Sequence, residues 1–164
     1  MRDIMKGRKV FPIVIIGIAT AIGVFSLRGS GGVEPVNKHS DGLALRGYDA
    51  VAYFREGAPA EGRAEFSQEW NGARWLFRSA ENRDAFARAP EAYAPQYGGY
   101  CSYAVAHGYT ADADPLAWKV VGGKLYLNYN EDVRRLWEQD IPGFLRKSEQ
   151  NWPQFLKRKP EHKG

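Results

Sequence analysis

The chain alternates apolar and polar positions in two places, and a glycine-bearing turn breaks each alternation. Ala64 to Trp70 and Ala73 to Phe77 flank Asn71-Gly72. Asn-Gly accepts the positive φ angles of a two-residue turn, so this stretch predicts an antiparallel hairpin. Leu116 to Val121 and Lys124 to Tyr129 bracket Gly122-Gly123 and predict a second. Helical spacing takes over between and after them. Ser79 stands as the N-cap of a helix through Arg88, with Phe86 on its apolar side and Pro90 beyond it. Glu91 to Tyr93 adds a further helical turn. Asn130 caps a helix whose Val133, Leu136 and Trp137 fall on one face. Ile141-Pro142 stops it, and Pro142 opens another helix through Gln150, after which Asn151-Trp152-Pro153 closes the domain. Upstream, Leu43 to Arg46 reads as a short strand, Gly47 to Phe54 as an aromatic segment and Gly57 to Gly62 as loop. The prediction is a small α+β domain over residues 37–153, with two β-hairpins and several short helices.

The ends of the chain read differently. Arg2, Lys6, Arg8 and Lys9 precede an uncharged run from Val10 to Leu27. That is about the lower limit of length for a spanning helix, and the basic flank favours a cytoplasmic amino end. Residues 1–28 are therefore expected to form one N-terminal transmembrane helix, with the domain carried to the far side. Ala19-Thr20-Ala21 offers the rival reading, a signal-peptide cleavage site, although Ile22 to Leu27 continues apolar beyond it. Residues 29–36, with Gly29-Ser30-Gly31-Gly32, read as a flexible linker, and residues 154–164 as a basic tail. The net charge of +4 belongs to the first 28 residues, which hold five basic groups and one acid; the remainder balances. The basicity thus reports the membrane flank, and no nucleic-acid partner is expected.

Candidate chemistry concentrates in Tyr97-Gly98-Gly99-Tyr100-Cys101-Ser102-Tyr103-Ala104-Val105-Ala106-His107-Gly108-Tyr109. The glycines suggest a sharp loop entering a helix from Tyr100 to His107, with Gly108 ending it. Cys101 is the only cysteine, so no internal disulfide exists, and the thiol is buried, ligated, reactive or paired with another chain. On an Ala/Val face it is a small hydrophobe; at a helix start the backbone N–H groups would favour a thiolate. Six residues turn a helix by about 600°, so Cys101 and His107 diverge by about 120°. If the helix ends early, Cys101 and His107 become metal ligands, with His39, Asp112 or Asp114 to complete a copper or zinc site. Tyr48, Tyr97, Tyr100, Tyr126 and Tyr129 are candidates to line a small-ligand pocket, against the plainer reading that aromatics fill the core. Both methionines, Met1 and Met5, fall outside the exported domain, which excludes a methionine-rich copper carrier. The chain has no GxSxG, HExxH, CxxC, Walker or dinucleotide-binding pattern, so standard hydrolases, metalloproteases, thioredoxins and nucleotide enzymes are excluded.

Trp70-Asn71-Gly72-Ala73-Arg74-Trp75-Leu76-Phe77-Arg78-Ser79-Ala80-Glu81-Asn82-Arg83-Asp84-Ala85-Phe86, followed by Pro90-Glu91-Ala92-Tyr93, resembles the YHS domain. Gly47 to Phe54, Tyr97 to Cys101, Trp118 to Val121, Lys124 to Tyr129 and Asp140-Ile141-Pro142-Gly143 resemble one exported bacterial branch of it, the YHS domain-containing (seleno)proteins. The likeness extends over residues 43–153 and implies a YHS-like fold on the periplasmic side of a bacterial inner membrane. Metal-handling YHS domains place one cysteine after the hairpin and another four residues on; Arg78 and Asn82 stand there, and Gly47 to Phe54 lacks the opening cysteine. The branch name implies selenocysteine in some members, and Cys101 is the position here that would correspond. Two functions follow as expectations. One is a membrane-tethered module handling a metal ion or a thiol redox event through Cys101. The other is a non-catalytic adaptor with an aromatic surface for a protein partner or ligand. Neither makes the chain an enzyme outright.

Overall fold

The computed structural model describes residues 33–157; the anchor reading of residues 1–28 and most of the tail lie outside them. Both predicted hairpins form. Strands β1 (Arg63–Trp70) and β2 (Ala73–Phe77) pair antiparallel, with Trp70 opposite Ala73 and Ser67 opposite Leu76. Asn71 and Gly72 both take positive φ, at 51° and 76°, which matches the right-handed twist of the strands they join. Strands β3 (Asp114–Val121) and β4 (Lys124–Asn128) pair the same way, through Gly122 and Gly123 at 58° and 74°. The hairpins remain separate two-stranded sheets.

Helices α1 (Ala52–Arg55), α2 (Ala80–Arg88), α3 (Pro90–Tyr93), α4 (Ser102–Ala106), α5 (Glu131–Glu138) and α6 (Ile141–Lys157) complete the fold. The two predicted caps are in place. Ser79 Oγ accepts from Asn82 N at 3.2 Å, and Asn130 Oδ1 accepts from Val133 N at 2.9 Å.

Four expectations need correction. Leu43 to Arg46 is no strand: Leu43 and Ala44 make isolated bridges, and Leu45 and Arg46 both adopt a φ of 51°, outside extended backbone. Helix α4 is shorter than Tyr100 to His107, leaving Cys101 at its N-cap and His107 at its C-cap. On α5 Trp137 is fully buried while Leu136 is 45 % exposed, so the apolar face is narrower than its spacing implied. Helix α6 runs past Gln150 and through Pro153 to Lys157, so that Trp152 and Phe155 reach the second cluster of the core. Within the stretch expected as linker, Val36 is buried, and next to it Asn37 N donates to Gly98 O at 2.8 Å, so the chain already lies against the domain there.

Strand β4 divides the core. Its alternate side chains point to opposite faces. Leu125 and Leu127 join Trp75, Phe77, Phe86, Tyr53 and Val51 on one side. Tyr126 joins Tyr97, Val105, Trp137 and Phe155 on the other. Trp75 and Phe86 stack with ring centroids 4.9 Å apart, and Trp70 meets both edge-on, which locks hairpin β1–β2 to α2.

Candidate functional site

Cys101 sits where the second cluster meets β4. Its backbone bridges to Leu127, and its N–H donates to Ala111 O at 2.9 Å. The approach is strained. Tyr97, Gly98 and Gly99 take φ of 55°, 62° and 82°, so three successive residues lie in the left-handed region. Gly98 cannot be replaced without cost, because an added Cβ would lie 2.2 Å from Pro35 O. This turn brings the chain sharply round, and α4 begins one residue after Cys101.

Cys101 is 1 % exposed and lines a cavity of about 270 Å³ together with Tyr103, Ala104, Tyr109, Ala111, Tyr129 and Val133. Tyr109 and Tyr129, both more than half exposed, stand among those walls. Burial pushes the thiol above its usual range, while backbone hydrogen bonds from Ala104, Tyr129 and Tyr103 pull it back. The S–H points at Asn128 Oδ1 across 4.0 Å, and the same oxygen accepts from Tyr103 N at 3.3 Å. Sequence reasoning missed Asn128. It follows Tyr126 by two positions on β4, so the period-two alternation of the strand was the available signal.

The surroundings of the thiol are more polar than an Ala/Val helix face implies. Ser102, Asn128 and Ser148 are all fully buried. Ser148 Oγ donates to Ser102 O at 3.3 Å, and Asn151 Nδ2 donates to Val105 O and Ala106 O at 3.0 and 3.2 Å, holding α6 to α4. Ser102 Oγ, Asn128 Nδ2 and Trp137 Nε1 have no hydrogen-bond partner among the described residues. A buried polar atom without a partner is uncommon and costs stability.

His107 does not join Cys101. It is exposed beyond α4, its Nδ1 lies 2.8 Å from Tyr103 O, and its ring stacks on Tyr103 and Phe144. Among the described residues no group of three or more His, Cys, Asp or Glu side chains could hold a metal ion. The donor set for a closed copper or zinc site therefore does not assemble around Cys101. The five tyrosines also separate. Tyr97 and Tyr126 line one cavity of about 250 Å³ with Trp152, and Tyr100 stacks on that same Trp152. Tyr129 belongs to the Cys101 cavity, and Tyr48 packs against the first cluster.

Arg78 and Asn82, the positions at which the resemblance would put cysteines, meet a carboxylate instead. Asp49, fully buried, accepts from Val51 N and Ala52 N through Oδ1 and from Arg78 N and Asn82 Nδ2 through Oδ2. Arg55 closes the group by donating to Asn82 Oδ1 at 3.1 Å. Four donors satisfy the charge and leave it no ligand to bind.

A second concavity lies on the other side of the core. Tyr53, Phe54, Gly57, Leu116, Trp118, Lys119, Val120 and Arg134 line an open cleft of about 640 Å³. Lys119 and Arg134 are both paired with Glu138, so the cleft offers aromatic and aliphatic surface rather than free charge. Comparison with known proteins identifies no relative: no family model, no curated protein and no solved structure matches the chain.

Proposed function

We propose that the chain is an exported YHS-like module, tethered to a bacterial inner membrane by its N-terminal apolar run. Its periplasmic domain offers one thiol, Cys101, to a small reactant. One observation carries this reading: Cys101 lines a tyrosine-walled cavity, where burial raises the thiol and backbone hydrogen bonds offset part of that rise. The chemistry that fits is exchange with a small disulfide. The Cys101 thiolate attacks one sulfur, a mixed disulfide forms, and the other sulfur leaves as a thiolate. With no second cysteine in the chain, an outside thiol must reverse the step.

The test treats the native full-length chain with cystamine and follows the mass of the Cys101 peptide. A cysteamine adduct that dithiothreitol removes supports the reading. An unmodified Cys101 in native protein, beside full modification in denaturant, would make it a core residue and end the proposal.

The adaptor reading keeps one specific support, the cleft beside Leu116, which is 56 % exposed next to Trp118. An apolar side chain that large, open to solvent on a strand, suits a partner's apolar residue. Leu116→Asp would abolish partner capture on that reading and leave cystamine modification unchanged.

A further inference from the structure

Both ends of the described chain emerge on one side of the domain. Pro35 and Val36 line a cavity of about 200 Å³ with Trp152 and Leu156 of α6, beside Trp70 and Asn71 of the first hairpin. Val33 packs against the cluster of Tyr97 and Phe155, which Trp152 also joins. The apolar run ends at Leu27, and only residues 28–32 separate it from Val33. Fully extended, that stretch reaches about 20 Å. A domain held so close to a bilayer must turn toward it the side from which the tether emerges.

That side has the composition a headgroup layer selects. Leu156 is 45 % exposed and Trp152 half-buried. Lys157, Arg158, Lys159 and Lys163 follow, against the single acid Glu161. Glu34, the acid beside Pro35, is paired with Lys38 at 3.1 Å. Tryptophan and leucine beside a lysine–arginine run settle at the level of lipid headgroups, the aromatic ring at the boundary and the cations on phosphate.

We infer that the domain rests on an anionic phospholipid surface through the Trp152–Leu156 end of α6, with the Lys157 cation at the close of that helix on the headgroups. This rests on the membrane tether proposed above. The docking side shares no lining residue with the Cys101 cavity, so contact with lipid leaves those walls in place.

The full chain, reconstituted into vesicles of phosphatidylglycerol and phosphatidylcholine with brominated acyl chains, provides the test. Bromine quenches only tryptophan that approaches the acyl region. Quenching is expected in the wild type, lost in Trp152→Phe and retained in Trp118→Phe, since Trp118 packs in the first cluster. Leu156→Glu, at an exposed position that cannot disrupt the core, is expected to lower it as well. Replacing Lys157 by glutamine lowers the docked-to-undocked ratio roughly fivefold. Flotation with the vesicles in about 1 M salt, where surface charge is screened, reports the tether alone. A chain that does not float refutes the tether and the docking with it. One that floats but is quenched equally in wild type and Trp152→Phe refutes the docking only, and assigns the cavity to flanking residues of the chain or to a second copy.

Discussion

The side-chain amide of Asn82 donates to the carboxylate of Asp49 across 2.7 Å, and the two residues are 4 and 0 % exposed respectively. The contact joins α2 to the turn before α1, thirty-three positions earlier. Asp49→Ala would strip four donors of their acceptor at once, two of them backbone N–H groups at the start of α1. A loss of about 3–5 kcal/mol is expected, read from the urea midpoint. Asn82→Asp should be worse than Asn82→Ala at neutral pH, because it sets two carboxylates together. Its stability should partly return on acidification, as one of the pair takes a proton. Equal losses in the two variants at every pH would show that the contact carries little of the fold.

Local signals were legible in the sequence and distant ones were not. Asn71-Gly72, Gly122-Gly123, Ser79 and Asn130 act within four residues of themselves, so reading them needs no tertiary information. The Asp49–Asn82 contact and the approach of Asn128 to Cys101 span 33 and 27 positions; alternation along β4 gives the face of Asn128, but nothing local names either partner. Cys101 was found because it is unique, but its surroundings were misjudged. Helical geometry placed it on an Ala/Val face, whereas α4 is too short to include it, and the side-chain oxygen its S–H faces comes from β4.

Helix α6 went unread beyond Gln150 because Pro153 argued for a stop. Proline removes the N–H that would bond Glu149 O and crowds the preceding turn, at a cost of about 3 kcal/mol. Helix α6 continues because its last turns place Trp152 and Phe155 in the second cluster, and Gln154 Nε2 donates to Gln150 O at 3.1 Å. Pro153 itself is exposed. Pro153→Ala should therefore raise stability by about 1–3 kcal/mol without touching the core, measured by chemical denaturation. A destabilised variant would mean that the proline is needed to seat Trp152.

The turn before Cys101 is expected to tolerate no side chain at Gly98. Its φ of 62° strains any L-residue, and the added carbon would collide with Pro35 O. Gly98→Ala should cost about 2–4 kcal/mol, combining backbone strain with displacement of residues 33–37. Gly108→Ala makes the control, since its φ is also positive, at 83°, but nothing lies near its added carbon. The difference between the two losses isolates the collision.

Stability should fall on the alkaline side. Burial raises the Tyr53 and Tyr97 hydroxyls well beyond the usual tyrosine range, and it also raises Tyr100, Tyr126 and Cys101. In the unfolded chain these groups lose their protons near about 8.5 for cysteine and 10 for tyrosine. The folded chain holds them longer, so it binds more protons through that window, and unfolding becomes easier as pH rises. The urea midpoint is expected to be flat near neutrality and to drop steadily above about pH 9. Tyr53→Phe, which loses the 3.0 Å bond to Pro115 O, should start lower and fall less steeply. A midpoint unchanged to pH 11 would contradict the burial of these hydroxyls.

Reaction at Cys101 should discriminate by reagent size and increase with pH. A cavity of about 270 Å³ admits a small alkylating agent such as iodoacetamide and excludes a polymer-linked maleimide. Because burial raises the thiol, little thiolate is present at neutral pH, and the iodoacetamide rate should still be climbing above pH 9. Val133, half-buried in the cavity wall on α5, gives the decisive variant. Val133→Trp should slow iodoacetamide at least tenfold while leaving the melting temperature nearly unchanged. If both reagents react at equal rates in wild type and variant, the thiol is reached by opening of the fold rather than through the tyrosine-walled cavity.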